Sequence, residues 1–357
     1  MNRTAPGALG TLAVVGLAVV FVAVPAAAAD AALARGGDDD PVAVAALRRA
    51  VRAPARTSYT GTQFVATWHR GQTTTLVVEL AHLPGRATSV TVTGGGPPLS
   101  LRAAGLPAPG AEPATPRALL ALLNTYDVAL GPAGEVAGRA VNTVVVRRHP
   151  GDGGSLAARF WVDAGSGLLL RRQVYDAAGN TIRASAFVSV QVGSSRRPRP
   201  ERVTPAPPAG APLDARALSG LRSAGWACPD RLPGGLALVD ARRHDGSTGP
   251  VIQLGFSDGV STLSVFEQRG ALDPRRLRGF SARQEAGAVR YVAAGAPYRV
   301  VWAVGDRVYS VVADAPEETV ADVLAALPWQ AAPEPEGVWD RLRRGAHRML
   351  TWANPFG

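Results

Sequence analysis

Three runs of alternating apolar and polar residues between Val136 and Ala186 constrain the fold most. They read VAGRAVNTVVVRR, then ARFWVDAGSGLLLRRQVYDAAGNTIRASA. Such alternation predicts antiparallel strands with one face on a core and the other in water. Between the runs, Asp163–Gly167 and Asp176–Asn180 are rich in the Gly, Asp and Asn that tight turns favour. The segment therefore predicts a meander of β-hairpins.

Composition indicates a folded chain long enough for two domains. The chain has 357 residues, 46% of them hydrophobic and only 18% charged, which is a globular balance. Its 40 glycines and 29 prolines indicate many turns and at least one linker. The sequence contains no lysine, so all 38 basic residues are arginine, a bias typical of a GC-rich coding sequence.

The first residues, 1–29, predict an export signal. Arg3 gives a positive start, Leu9–Val24 is apolar, and Pro25–Ala29 offers small residues at the spacing that signal peptidases cut. We favour cleavage near Ala28 or Ala29. The alternative is an uncleaved anchor, because this apolar stretch approaches the length of a membrane span. Both versions place the body in the periplasm or on the outer face of the cytoplasmic membrane.

The body divides into two predicted domains, residues 41–193 and 213–329, joined by a linker rich in Pro and Arg at 194–212. The first should begin with a helix after Asp40 and a hairpin built from Thr60–Arg70 and Thr73–His82. The region Gly94–Pro116 should be a loop, followed by a short helix. The second domain should have helices at Leu213–Ala224 and from Pro316 to Leu327, with strands between them. Within it, Asp273–Gly287 is a polar stretch for which we predict no strand.

The amino-acid sequence of these segments resembles that of the MucB/RseB family of exported regulators. The resemblance is carried by Val136–Arg139, Phe160–Asp163, Gly167–Arg171 and Tyr175–Gly179, with Ser58–Thr62 upstream. A second block, Phe256–Glu267, is similar to the family's C-terminal domain. Two blocks in the same order are a more specific signal than either alone.

The resemblance implies a mainly β fold with α+β character. The first domain would be a partly closed antiparallel β-barrel like that of lipoprotein carriers, with packed helices, and the second a smaller α+β domain. The hollow of such a barrel holds an acyl chain by burial of apolar area. The residues that would line it are Phe64, Trp68, Phe160, Val162, Leu168 and Leu170. Each of these side chains could instead fill the core.

The resemblance also implies a function without a cofactor. The protein would bind the outer segment of a membrane-anchored anti-sigma factor, protect it from proteolysis and release it when an amphiphile binds, as a negative regulator of envelope stress. Partner contacts would lie in the second block, at Ser257, Asp258, Gly259 and Phe266. The alternative is an envelope lipid or lipoprotein carrier. A structural envelope protein is a third possibility, and the family also suggests self-association.

No motif in the sequence predicts catalysis or a metal site. We find no nucleophile elbow, phosphate-binding loop, zinc-binding helix motif or paired cysteines, and the five histidines are scattered. Cys228, the one cysteine, could be a reactive thiol, but we favour a buried small hydrophobic residue. Asp38, Asp39 and Asp40 fit a solvated acidic stretch better than a cation site. We therefore expect a protein that is not an enzyme.

The net charge of +10 favours contact with anionic surfaces. A nucleic acid is a poor candidate for an exported chain whose arginines are not grouped with aromatic residues. Anionic lipid headgroups or an acidic partner segment fit better.

The tail, residues 330–357, predicts a basic amphipathic helix at the membrane interface. Its interfacial residues would be Trp339, Leu342, Arg343, Arg344, Arg348, Met349 and Trp352. A helix packed on protein, with solvated arginines, is the alternative.

Overall fold

The computed structural model describes residues 39–69, 72–85, 88–93, 99–103, 115–149, 151, 154–193, 210–246, 249–285, 288–293 and 297–328. The predicted leader, the tail and most of the linker lie outside these ranges. Both sheets described below belong to one compact unit of the molecule. Among the helices that the structure describes, none combines the length and apolarity that crossing a bilayer requires.

The first half of the chain forms an antiparallel sheet of ten strands with two helices. The helices are α1 (Pro41–Arg52) and α2 (Pro116–Thr125). The strands are β1 (Tyr59–His69), β2 (Gln72–His82), β3 (Thr88–Thr93), β4 (Leu99–Ala103), β5 (Tyr126–Leu130), β6 (Gly134–Val136), β7 (Arg139–Arg148), β8 (Leu156–Asp163), β9 (Leu169–Tyr175) and β10 (Thr181–Val192). Their order is β4-β3-β2-β1-β10-β9-β8-β7-β5, with β6 beside β7. The predicted meander from β7 to β10 is confirmed.

The second half forms an antiparallel sheet of eight strands with two further helices, α3 (Ala215–Ser223) and α4 (Glu317–Ala326). Its strands are β11 (Ala211–Pro212), β12 (Ala237–Gly246), β13 (Gly249–Ser257), β14 (Thr262–Arg269), β15 (Phe280–Glu285), β16 (Ala288–Ala293), β17 (Tyr298–Val304) and β18 (Arg307–Asp314). Their order is β11-β12-β13-β14-β18-β17-β16-β15. The mainly β class with two antiparallel sheets is therefore confirmed.

The first sheet is open between its two ends. Strands β4 and β5 stand at opposite ends of the order, and within the ranges that the structure describes they do not pair with each other. The observed sheet therefore does not form the closed ring of a complete barrel.

Three differences from the sequence-based prediction concern strands. Strand β4 lies inside the predicted loop Gly94–Pro116, and β15 lies inside the polar stretch Asp273–Gly287. Strand β15 was missed because its exposed residues show no alternation of apolar side chains, whereas the short alternation of Leu99 and Leu101 in β4 is set in a stretch rich in Gly and Pro. Within the predicted linker, Ala211 and Pro212 pair with Arg243 and Arg242 of β12 as the first strand of the second sheet.

Hairpin turns in the meander are fixed by aspartate side chains. Between β8 and β9, Asp163 accepts two hydrogen bonds of 2.9 Å from Arg139 and one of 2.7 Å from the Ser166 N–H. Gly167 follows with φ +77°, a conformation that glycine adopts without strain. Burial alone would raise the pKa of Asp163, but the bonds from Arg139 and Ser166 outweigh it and lower the pKa.

Asp39 and Asp40 cover the open edge of the first sheet at β5. Asp40 caps α1 by accepting a 2.8 Å hydrogen bond from Val42 N, and its other oxygen accepts from Leu130 N at 3.2 Å. Asp39 accepts from Val128 N at 3.1 Å. These two residues of the predicted solvated stretch therefore stabilise a helix start and a strand edge.

Each sheet packs its inner face against helices. Helix α1 lies on β5, β7 and β8, with Leu47 and Val44 in a core that includes Val144 and Phe160. In the second sheet, α4 contributes Val320, Val323 and Leu324 to a core with Trp302 at its centre. Trp302 donates its Nε1–H to Pro328 O at 2.9 Å, which ties the chain after α4 to β17.

Candidate functional site

The turn between β13 and β14, residues 257–261, is buried against the first sheet. Ser257, Asp258 and Ser261 are each at most 2% exposed. Gly259 has φ +84° and lies directly on α2, so that a Cβ there would be 2.3 Å from Leu122 Cβ. Only glycine satisfies both the backbone conformation and this close approach. We call residues 257–261 the docking turn.

Asp258 is the polar centre of the docking turn. Its carboxylate accepts hydrogen bonds from Tyr126 Oη at 2.7 Å, Val260 N at 2.8 Å and Ser261 N at 2.5 Å. Burial raises the pKa of Asp258, since removal from water disfavours the charged form, while these hydrogen bonds oppose the rise. Tyr126 is the first residue of β5, so this bond joins the two sheets.

Two arginines of the first sheet reach the second. Arg172 is 2% exposed and donates a hydrogen bond to Val260 O, while its Nη1 lies 3.8 Å from Asp314 Oδ2. Arg183 forms an ion pair with the same carboxylate of Asp314. The contact between the sheets is therefore polar and charged, and leaving one member without its partner would be costly.

A cleft of about 250 Å³ lies beside this contact, with walls from both sheets. Its lining combines aromatic residues with acids and the two arginines, namely Thr67, Trp68, Arg172, Val174, Asp176, Ile182, Arg183, Pro297, Tyr298, Ala313, Asp314, Ala315, Pro316, Glu317 and Glu318. Pockets for small molecules usually measure roughly 300–1,000 Å³. This cleft is therefore the size of a few side chains and too small for a long acyl chain.

The six predicted lining residues do not converge on one hollow. Phe160, Val162 and Leu170 are fully buried, and Leu168 is 4% exposed. Phe160 packs in the core with α1, whereas Leu168 and Leu170 belong to a separate core under β1 to β3. In this structure these four side chains fill cores instead of lining an open hollow.

The two aromatic residues predicted in β1 lie elsewhere. Registers across β1, β10, β9 and β8 align Val65 with Ser185, Arg172 and Phe160. Because neighbouring residues of a strand point to opposite faces, Phe64 faces away from Phe160. Trp68 lines the cleft between the sheets.

The four predicted partner-binding residues also lie in two different places. Ser257, Asp258 and Gly259 form the docking turn, where they contact the first sheet and not the solvent. Their observed role is to join the two halves of the chain. Phe266 is half-buried in β14, on the other face of the strand from the core residues Val265 and Glu267.

Phe266 belongs to the face of the second sheet that α4 does not cover. Strand registers place Phe266 beside Ser310, Val301, Tyr291 and Ala282 in one row from β14 to β15. The opposite face carries Trp302 and the other core residues. We call the face with Phe266 the outer face.

The tail, the acidic and histidine side chains and Cys228 do not form a second functional site among the described residues. The tail residues Trp339 to Trp352 lie outside the described ranges. Within the part of the chain that the structure describes, no three His, Cys, Asp or Glu side chains come together as metal ligands would. Cys228 is buried, as predicted, and burial raises the pKa of its thiol to about 11. A thiol with this pKa is a poor nucleophile at neutral pH.

Sequence reasoning missed the residues that join the sheets, above all Arg172. A signal was present, because Arg172 occupies an inward position of β9 between Leu170 and Val174 in the alternating pattern. A charged residue at a core position indicates a buried partner. Nothing in the sequence identified that partner as the docking turn.

Residues 43–208 match the model of the MucB/RseB N-terminal domain. No curated protein matches the chain significantly. Among solved structures, the MucA/MucB complex of Pseudomonas aeruginosa is similar at 19% identity and TM-score 0.41, covering 79% of this chain and 96% of that one.

Two further solved structures match. MucB in complex with MucA(peri) is similar at 20% identity and TM-score 0.42, covering 81% of this chain and 100% of that one. LprF from Mycobacterium bovis is similar at 14% identity and TM-score 0.28, covering 47% and 100%. The match over residues 43–208 is to the family that the sequence of the strands indicated, and this segment of the chain is similar to the MucB/RseB N-terminal domain.

Proposed function

We propose that this protein is an exported regulator that binds the outer segment of a membrane-anchored anti-sigma factor and protects it from proteolysis. The observation that carries the proposal is the match of residues 43–208 to the MucB/RseB N-terminal domain. In this role the protein acts by binding and not by catalysis.

The outer face of the second sheet is the surface that we assign to the partner. The docking turn is occupied by contacts within the chain, which leaves Phe266, half-buried on the face opposite α4, as the one predicted partner residue outside the contact between the sheets. A segment bound along this face would be shielded, because a protease must draw an extended substrate into its own active site. The net charge of +10 favours a partner segment that is acidic.

Release by an amphiphile requires two conformations with different affinities for the ligand. Phe160 and Leu170 are fully buried in separate cores, so a lipid chain could reach the inner face of the first sheet only after these cores open. Such opening would disturb Arg172 on the same strand as Leu170 and, through it, the docking turn. The lipid would in this way weaken the partner's site in the second sheet.

The proposal is tested by crosslinking the tagged full-length protein in its native membrane and identifying what it captures by mass spectrometry. Recovery of an anti-sigma factor with a single membrane span supports it. A matched pair of variants locates the contact: Phe266→Glu on the outer face should abolish capture, whereas Val42→Glu, at an exposed position on α1, should not.

Recovery of lipids or lipoproteins without any anti-sigma factor would overturn the regulatory role in favour of the carrier. Protection is measured separately, by adding the captured segment to its protease with and without the protein. An unchanged cleavage rate at saturating protein would exclude shielding even if binding is confirmed.

A further inference from the structure

The free edge of β15 is exposed along its length. Strand β15 is the last in the order of the second sheet and pairs with β16 over six positions, from Phe280 to Glu285, without any shift in register. The side chains of residues 281–284 are all exposed, so no other described part of the chain covers the strand there. A regular, uncovered edge of this kind can pair with another strand.

Two other edges with described side chains are protected. Strand β11 has only two residues, and one of them is Pro212, which lacks an N–H. At β5, the N–H groups of Val128 and Leu130 already donate to Asp39 and Asp40. Strand β15 has no proline, no bulge and no capping side chain among the described residues, which sets it apart from these two.

The surroundings of the β15 edge are strongly basic. The side chains of Arg275 and Arg276 are 91% and 86% exposed, and both pair with the single carboxylate of Asp273. Arg278 and Arg283 are also exposed, and within the described part of the chain neither has an acidic partner. These four arginines outnumber the two acidic residues of the same region, Asp273 and Glu285, and leave an excess of positive charge beside the edge.

This charge decides which strand the edge accepts. A second copy of the chain, paired through β15, would bring like charges together, which opposes the pairing. An extended acidic segment would gain main-chain hydrogen bonds from the edge and charge-assisted bonds from the arginines. We infer that the β15 edge binds an extended, acidic segment of a partner protein as an added strand.

The inference deepens the proposed function by naming the binding mode, and it rests on that function only for the identity of the partner. Ala282 of β15 ends the row on the outer face that begins at Phe266. A segment added to β15 would therefore continue the surface that we assign to the anti-sigma factor.

The register identifies which amides face outward. Only residues 286 and 287 separate the paired residues Glu285 and Ala288, and in such short hairpins the flanking pair exchanges both hydrogen bonds. Because hydrogen-bonded and non-bonded pairs alternate, Arg283 should bond to β16 while the N–H groups of Ala282 and Gln284 face away. A proline at 282 should remove an outward donor without breaking a bond to β16.

The test measures hydrogen exchange in the full-length protein with a short peptide of alternating glutamate and threonine. We expect exchange at residues 282 and 284 to slow by about tenfold when the peptide is present at about ten times its Kd. A peptide of alternating lysine and threonine is the matched control and should leave exchange unchanged. Arg283→Glu should weaken the effect of the glutamate peptide.

Variants separate binding from loss of folding. Ala282→Pro should abolish the slowing, whereas Ala271→Pro, at an exposed position outside any strand, should retain it. Equal melting temperatures for these two variants show that the sheet persists. If Ala282→Pro unfolds the sheet, Ala282→Glu at the same edge replaces it and should weaken binding of the glutamate peptide by repulsion.

If neither peptide changes exchange at β15, the inference is wrong. If both peptides slow exchange equally, the edge binds a strand but the claim that the partner segment is acidic is wrong. The same measurement with the captured anti-sigma segment distinguishes the two proposals. Binding of that segment without protection of β15 refutes the edge and leaves the proposed function standing. Protection of β15 by the glutamate peptide, with no anti-sigma factor captured, supports the edge as a binding site and refutes the proposed function.

Discussion

Gly259 and Gly179 have the same backbone conformation in different surroundings. Both have φ +84°, which is unfavourable for residues with a Cβ. A Cβ at Gly259 would meet Leu122, whereas a Cβ at Gly179 would have open space around it. The pair therefore separates the cost of the backbone conformation from the cost of the close contact between the sheets.

Gly179→Ala should destabilise the protein by about 1–2 kcal/mol, the cost of placing a Cβ in this conformation. Gly259→Ala should cost about 1–3 kcal/mol more, because α2 and the docking turn must also move apart. Chemical denaturation of both variants measures the difference. Equal losses of stability would show that the contact at Leu122 is loose.

Asp163 gives a pH dependence with a definite sign. Its pKa in the folded protein lies below the ordinary 3.8, so its ion pair stabilises fully above pH 3.8 and is lost as pH falls through the folded pKa. Asp163→Asn should lower stability at neutral pH by about 1.5–3 kcal/mol and flatten this acid dependence. Denaturation midpoints at a series of pH values measure both effects, with Asp306→Asn, 75% exposed, as the control. An unchanged acid dependence in Asp163→Asn would contradict the assignment.

At the scale of elements, the sequence predicts strands with a buried face far better than strands at an edge. The alternation in β7 to β10 follows from burial of one face on a core. Strand β15 has exposed side chains at 281–284, so its residues show no apolar period, and only its pairing with β16 makes it a strand. Helix α3 was predicted from an apolar stripe that includes Leu218, which is buried, and the structure adds Asp214 as its cap.

Asp40 joins α1 to β5, and its removal should affect both elements. Asp40→Ala should cost about 1–2 kcal/mol, because both the helix cap and the bond to Leu130 are lost. Asp214→Ala removes only the cap of α3 and should cost less. Hydrogen exchange should accelerate at Val42 and Leu130 in the first variant. Acceleration at Val42 alone would mean that Asp40 does not protect the strand edge.

At the scale of the whole molecule, the two sheets are joined by polar contacts that no local pattern specifies. Arg172 was visible in the sequence as a charged residue at an inward position, but Val260 and Asp314 are distant along the chain. Of the six residues predicted to line a hollow, five lie in strands and Leu168 directly precedes β9. Which face each of them occupies depends on registers across four strands, which the sequence alone does not fix.

Tyr126→Phe should destabilise both sheets together. The change removes the donor of the 2.7 Å bond to Asp258 in a site closed to water, at a cost of about 1–3 kcal/mol. Tyr291→Phe on the outer face is the control and should change stability by less than about 0.5 kcal/mol. Exchange should accelerate equally at Ala158 in β8 and Trp302 in β17. Acceleration in only one sheet would show that the two halves unfold independently.

The docking turn also has a consequence for the order of folding. Asp258 and Tyr126 are 132 residues apart in sequence, so their contact closes a very long loop. Contacts between residues so far apart in sequence form late, after the local hairpins have closed, because the entropy cost of closing a loop rises with its length. During synthesis α2 and β5 are complete before the docking turn exists. The surface around Leu122 therefore stays uncovered by this turn until residues 257–261 have been made. Formation of the Tyr126–Asp258 bond should therefore mark the end of folding, and a chain cut short before residue 258 should leave this surface open to aggregation.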